Sequence, residues 1–254
     1  MTYERNLFGE AGRTDDAKVL KAKQVDYTPI PVVLQLLMAL FELRELTVRR
    51  YLDKAAGSGA WGRAMRALCP EAHLIGVEAR ASERANVVAA YDTAIIADTE
   101  ELDSIGAPVD LDATNPPFRA FGVRGKDDKE RGPFWPELAR YRGWLAPAGM
   151  VAMYGLSQWG QAAEHQELHR VWCPSLQIRV GGRVAHRGTK SGDQREYSLF
   201  VWDVADRRRN IRRPTWDTVQ LEALPDALRF WELGSIPGTY EVSPELVALV
   251  RQYV

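Results

Sequence analysis

The sequence predicts an α/β fold: a central, mostly parallel sheet with helices on both faces and a C-terminal antiparallel hairpin. Three observations carry this. Short apolar runs rich in Val, Ile and Leu alternate with helical periods over the first two thirds of the chain. Such alternation implies crossover units and a parallel sheet covered on both sides. Each run stops on a glycine, an acid or an asparagine. Beyond "QAAEHQELHRVW" the intervening helices disappear.

The elements follow in order. Residues 1–25 read as an N-terminal arm, polar and acidic at its start. "YTPIPVVLQLLMALFEL" is a turn followed by a helix. Thr28 fits its N-cap, Pro29 its first helical position, and Val32, Val33, Leu36, Leu37 and Leu40 recur at helical spacing. "TVRRYLDKAAGSGAWGRAMRAL" is a strand, a glycine-rich turn and a helix. "HLIGVEAR" is a short buried strand ending on an acid. "SERANVVAAY" is helical, and "TAIIAD" is another strand ending on an acid. "VDLDATNPPF" is a fourth strand, stopped by Pro116 and Pro117, which cannot donate to a sheet ladder. "FWPELARYRGWL" is a helix, "GMVAMYGL" a fifth strand and "QAAEHQELHRVW" a helix. "SLQIRVGGRVAHRG" and "REYSLFVWDV" then read as a hairpin returning to the sheet edge. "DRRRNIRRP" marks a boundary in composition. A catalytic or binding domain over 26–205 and a basic extension over 206–254 follow, with a helix expected at "SPELVALVRQYV".

Composition bounds the function. The chain has 254 residues, 46% hydrophobic and 26% charged, enough for a real core. A formal net charge of −1 supplies no global field, so a nucleic-acid partner needs a local basic patch. Cys69 and Cys173 show no CxxC spacing, which points to reduced thiols and no metal site. The N-terminus lacks a signal-peptide core, and "PIPVVLQLLMALF" is too short and interrupted to span a bilayer. A cytoplasmic protein without a membrane partner is expected.

In an open parallel sheet, ligands bind outside the carboxyl ends of the strands. The residues there are Gly57, Ser58 and Gly59, then Glu78, Asp98 and Asn115. Gly57, Glu78, Asp98 and Asn115 follow one another at intervals of 21, 20 and 17 residues, one strand-helix unit each time. Glycines allow a tight turn and close backbone approach, and an acid about 20 residues later commonly takes a ribose diol. With Gly62, "GSGAWG" formally meets the GxGxxG pattern, so the glycines alone leave a nicotinamide dinucleotide open.

The flanking residues decide between them. "YTP" before a helix, "LDKAAGSGAWG", "GVEAR", "IIADTEEL" and "TNPPF", in that order, resemble the Rossmann-like class I S-adenosylmethionine-dependent methyltransferases. More closely, they resemble the amino-methyltransferases whose fourth motif is Asp, Asn or Ser, then Pro-Pro, then an aromatic. "RGTKSGDQREYSLFVWD" is similar to the end of phage-type DNA adenine-N6 methyltransferases. Lys54 stands where that family more often has proline. The Asn form of the fourth motif is shared with enzymes that methylate glutamine side chains in proteins.

The resemblance implies S-adenosyl-L-methionine as cofactor. It implies donor-binding roles for Tyr27, Thr28, Pro29, Asp53, Ala55, Gly57, Ser58, Gly59, Glu78, Asp98 and Thr99. Within that set Thr28 would bond the donor's carboxylate, Asp53 face its amino group, Glu78 take both ribose hydroxyls and Asp98 accept from the adenine amino group. Asn115, Pro116, Pro117 and Phe118 would be catalytic: two oxygen acceptors on a rigid corner, and a ring on which a flipped base stacks. The loop from 119 to 132 leaves that corner and reads as a lid.

Residues 179–213 carry ten Lys or Arg against four Asp or Glu, a local balance of +6. Arg183, Arg187, Lys190, Arg207, Arg208, Arg209, Arg212 and Arg213 are the candidate phosphate contacts, most simply to double-stranded DNA. RNA or protein-glutamine methylation, and a non-catalytic nucleic-acid binder on the same fold, remain as alternatives.

Overall fold

The chain runs α1 (Ile30–Arg44), β1 (Arg50–Asp53), α2 (Ala60–Leu68), β2 (His73–Glu78), α3 (Arg84–Ala90), β3 (Thr93–Ile96), β4 (Val109–Thr114), α4 (Trp135–Tyr141) and β5 (Leu145–Leu156). It continues through α5 (Gln166–Val171), β6 (Leu176–Gly181), β7 (Tyr197–Asp203), β8 (Asp217–Ala223), α6 (Asp226–Arg229) and α7 (Pro244–Val250). The computed structural model describes residues 28–122, 132–161, 165–182, 184, 195–206, 215–229 and 242–254.

Among the described residues, eight strands form one sheet, in the order β3–β2–β1–β4–β5–β7–β6–β8. The pairs from β3 to β5 are parallel. β7 runs antiparallel to both β5 and β6, and β8 pairs parallel with β6. β1 lies at the centre, with β2 on one side and β4 on the other. The strand order reverses there, which opens a crevice at the carboxyl ends of β1 and β4.

The expected C-terminal antiparallel pair is present: β6 and β7 pair antiparallel, with β7 against β5. One feature was not expected. The edge strand is β8, for which the sequence shows little. Only Leu221 of "DTVQLEA" is buried, because an edge strand with one solvated face needs few apolar residues.

Side chains alternate between two cores, as the period of a strand requires. Tyr51, Leu111, Ala152, Leu199 and Val201 face one cluster with α1 and α2. Leu52, Val151, Met153, Phe200 and Trp202 face a second, aromatic-rich cluster with Trp135, Trp144, Trp159 and Trp172. Strands buried on both faces read as continuous apolar runs for this reason.

α1 is buried from Ile30 through Leu40. Its N-cap is Pro29, whose carbonyl accepts from Val32 and Val33, and Pro31 occupies the second helical position. Thr28 therefore lies one residue outside the cap, and its side chain has another partner. Gln35, fully buried on α1, donates from Nε2 to the carbonyls of Glu222 (2.9 Å) and Tyr253 (2.6 Å). These bonds tie β8 and the C-terminus to the first helix. α7 starts where expected, with Ser243 accepting from the Leu246 amide at 3.2 Å. Among the described residues, no helix is long and apolar enough to cross a membrane.

Candidate active site

The turn after β1 is built by left-handed glycines. Gly57 has φ 51° and Gly59 has φ 82°, a region that strains other residues. A Cβ on Gly59 would also stand 2.6 Å from the Ala90 Cβ. Gly62 has a different reason to be glycine: a Cβ there would meet the Tyr91 ring at 2.5 Å. The Gly62 amide instead donates to the Tyr91 hydroxyl at 3.0 Å. The formal match to a dinucleotide fingerprint thus reflects packing of α2 against Tyr91.

Tyr91 leads to Asp53. Its hydroxyl donates to Asp53 Oδ2 at 2.5 Å, Thr114 donates to Oδ1 at 2.6 Å, and the Ala55 amide donates to Oδ1 at 3.1 Å. The carboxyl is fully buried. Burial pushes its pKa from an ordinary 3.8 up to about 7, against the pull of the Thr114 and Tyr91 hydrogen bonds. Asp53 thereby fixes the end of β1 to the end of β4 from within the sheet.

Lys54 folds beneath the turn. Its Nζ lies 2.6 Å from Asp112 Oδ2, with both side chains fully buried. The same ammonium lies 3.4 Å from the Trp135 carbonyl and 5.2 Å from that indole's centre. Burial lowers the Lys54 pKa and raises that of Asp112, and each charge opposes the other's shift. The Thr99 hydroxyl donates to the Lys54 carbonyl at 2.7 Å. The lysine in the position the resembled family more often gives to proline therefore joins the ends of β1, β3 and β4 to the start of α4.

Glu78 ends β2 and is buried. Its Oε2 accepts from the Gly57 amide at 2.8 Å, and its Oε1 from the Arg80 amide at 2.9 Å. The Arg80 guanidinium adds a second bond to each oxygen. Asp98, after β3, accepts from the Glu100 amide at 2.9 Å and caps a short turn, Thr99–Glu101. Glu78, Asp98, Thr99, Ala55, Pro117 and Trp135 line one cleft. Four separate strand-end segments therefore converge on a single depression.

At the end of β4, Asn115 Nδ2 donates to Thr28 Oγ1 at 3.1 Å. Pro116 is buried, and the Pro117 carbonyl accepts from Ala120 at 2.9 Å, turning the chain. Arg119 then pairs with Glu100 at 3.2 Å, beside the cleft. Phe121 and Phe134 form an isolated antiparallel bridge. Tyr27, Arg183, Arg187, Lys190, Arg207, Arg208, Arg209, Arg212 and Arg213 lie outside the described residues, as do loop residues 123–131 and the side chain of Phe118. Among the described residues, no group of three or more His, Cys, Asp or Glu could hold a metal ion.

Similarity to solved structures bears on the fold. A Listeria monocytogenes protein described as a class I S-adenosylmethionine-dependent methyltransferase superposes with a TM-score of 0.53 at 12% identity, over 90% of this chain and 71% of that one. The fold is that of the class I methyltransferases. Two weaker similarities, each with a TM-score of 0.48 at 14% identity, are to a Pyrococcus horikoshii protein described as an RNA methyltransferase and to the M protein of the EcoKI type I restriction enzyme. The first spans 66% of this chain and 81% of that one, the second 80% and 50%. No family model matches the chain. No curated protein matches it by sequence.

On this methyltransferase fold, sequence reasoning had placed the acids and the Asn115 corner but missed Tyr91, Asp112 and Arg80. Asp112 carried a signal: an acid at an inward position of an apolar strand requires a buried cation. Arg80 carried another, since residues two apart on an extended segment share a side.

Proposed function

We propose that this chain transfers a methyl group from S-adenosyl-L-methionine to an exocyclic amino nitrogen, N6 of a flipped adenine in double-stranded DNA. The observation that carries the reading is the Asn115-Pro116-Pro117 corner standing at the end of β4, beside the cleft that holds Glu78 and Asp98. The residues of that cleft fit the donor. Two acids at the ends of neighbouring strands offer acceptors for a ribose diol and for an adenine amino group. The glycine turn, whose Gly57 amide bonds Glu78, stands next to that acid and would receive the amino-acid end. When bound, S-adenosyl-L-methionine supplies a sulfonium-activated methyl group.

The protein's share is positioning. An amino group on a base is a poor nucleophile, because its lone pair is conjugated with the ring. The Asn115 side-chain oxygen and the Pro116 carbonyl accept its two N–H bonds and turn the lone pair toward the methyl group. The two prolines fix the backbone dihedrals, so these oxygens are preorganised. Thr28 orients the Asn115 amide by accepting from its nitrogen. Phe118 supplies a face for the extruded base. Held by Glu78 and Asp98, S-adenosyl-L-methionine would supply the methyl carbon, with its sulfur as the leaving group. The amine then releases its extra proton to water. Phosphate contacts come from the basic residues between 183 and 213, a role supported by local charge in the sequence.

Transfer of labelled methyl from S-adenosylmethionine, with unmethylated duplex DNA, RNA and whole-cell protein as parallel acceptors, tests the substrate. Label in DNA is the expected result. Label confined to RNA or to protein glutamine would replace the substrate while keeping the donor. No transfer to any acceptor, with the donor unbound, would discard the enzyme reading.

A further inference from the structure

We infer that Arg80 is a donor-site residue: its guanidinium occupies on Glu78 the two acceptor positions that the donor's ribose hydroxyls take, and donor binding moves it to Glu83. This rests on the reading that Glu78 holds the donor's ribose.

The hydrogen bonds on Glu78 divide evenly. Oε1 accepts one backbone N–H, from Arg80 at 2.9 Å, and one guanidinium N–H, from Nε at 2.8 Å. Oε2 accepts one backbone N–H, from Gly57 at 2.8 Å, and one guanidinium N–H, from Nη2 at 3.1 Å. An ionised carboxylate accepts about four hydrogen bonds, and these four fill it. Two vicinal hydroxyls present two donors to two oxygens, as the fork of an arginine does. The diol therefore exchanges with the guanidinium, one bond per oxygen, and both backbone bonds remain in place.

Arg80 has somewhere to go. Glu83 Oε1 lies 3.8 Å from Arg80 Nη1, at the end of the short turn Ala81–Glu83 that precedes α3. Asn86 holds the other Glu83 oxygen at 2.7 Å, so that acceptor is already oriented. The swing needs only side-chain torsions, since the Arg80 amide stays on Glu78. Glu78 is thus kept paired and aimed, and donor affinity carries the penalty of breaking the guanidinium pair.

The test is calorimetric titration of the full chain with S-adenosylhomocysteine, at low and high potassium chloride. Wild type, Arg80→Ala, Glu83→Gln and Glu78→Gln are compared. Arg80→Ala should bind about three- to tenfold more tightly than wild type, the range of a partly shielded ion pair. Glu83→Gln should bind more weakly, because the displaced guanidinium meets a neutral amide in place of that carboxylate. Wild-type affinity should rise with salt, which weakens the competing pair, while that of Arg80→Ala stays flat; the ligand carries no net charge. If Arg80→Ala does not fold, Arg80→Met keeps the stem and removes the fork. Unchanged or weaker binding by the arginine variant overturns the exchange. Equal binding by wild type and Glu78→Gln overturns it by removing Glu78 from the ribose. No binding by wild type overturns the donor reading itself.

Discussion

The side-chain nitrogen of Asn115 lies 3.1 Å from the hydroxyl of Thr28, and the two residues are 87 positions apart in the chain. Thr28 is buried, and the cap of α1 belongs to Pro29, so the threonine side chain is committed to the corner after β4. Thr28→Val keeps the shape and removes the acceptor. Turnover should fall about tenfold, near 1.4 kcal/mol of transition-state stabilisation, while Thr28→Ser stays near wild type. Steady-state kcat for both variants checks this. Equal rates for valine and threonine would remove Thr28 from the positioning of Asn115.

Asp53 sets a pH dependence. Its carboxyl titrates at about 7 in the fold, against an ordinary 3.8. Between those values the folded chain holds a proton that the unfolded chain has lost, so this group's contribution is largest below the lower value. It declines as pH rises to about 7 and is constant above. Asp53→Asn retains the hydrogen-bonding shape and cannot ionise. The variant should gain roughly 2–4 kcal/mol on wild type between about pH 4 and about pH 8. Parallel stability curves in urea across that range would contradict the assignment.

The Lys54–Asp112 pair makes a different prediction. Lys54→Met strands a buried carboxylate and should cost about 3–5 kcal/mol, and Asp112→Leu should cost a similar amount. The double variant removes both charges and should recover most of that loss, because a buried pair contributes little net stability over apolar packing. Urea denaturation of the two single variants and the double variant decides it. Additive losses would show that the two side chains act independently.

The basic run predicts salt behaviour. Replacing Arg207, Arg208 and Arg209 together with alanine should reduce the slope of log K against log salt for duplex DNA by about 2–3, near 0.9 per lost phosphate contact. Filter binding over a salt series measures it. An unchanged slope would take the run out of the phosphate contacts.

The sheet was legible because short apolar runs alternate with helical periods, and because the glycine turn after β1 and the proline pair after β4 mark where two central strands stop. Strand-end positions are read from local pattern alone, and Glu78, Asp98 and Asn115 fall there. The partners of these residues were less legible, because they depend on distance in space. Tyr91 reaches Asp53 across the groove between α2 and β2, and nothing near either residue in sequence signals the contact. β8 escaped because its pairing comes from backbone, with one buried leucine as its mark. Thr28 was displaced by one position because Pro29 and Pro31 both satisfy the constraints of a helix start.

The central claim is that Asn115 orients an adenine amino group. Its most direct test is nucleoside analysis of unmethylated duplex DNA after incubation with S-adenosylmethionine and either wild type or Asn115→Ala, with donor binding measured in both. The account predicts N6-methyladenine from wild type and none from the variant, at equal donor affinity. N6-methyladenine formed equally by both, or a methyl group on a ring atom, would contradict it.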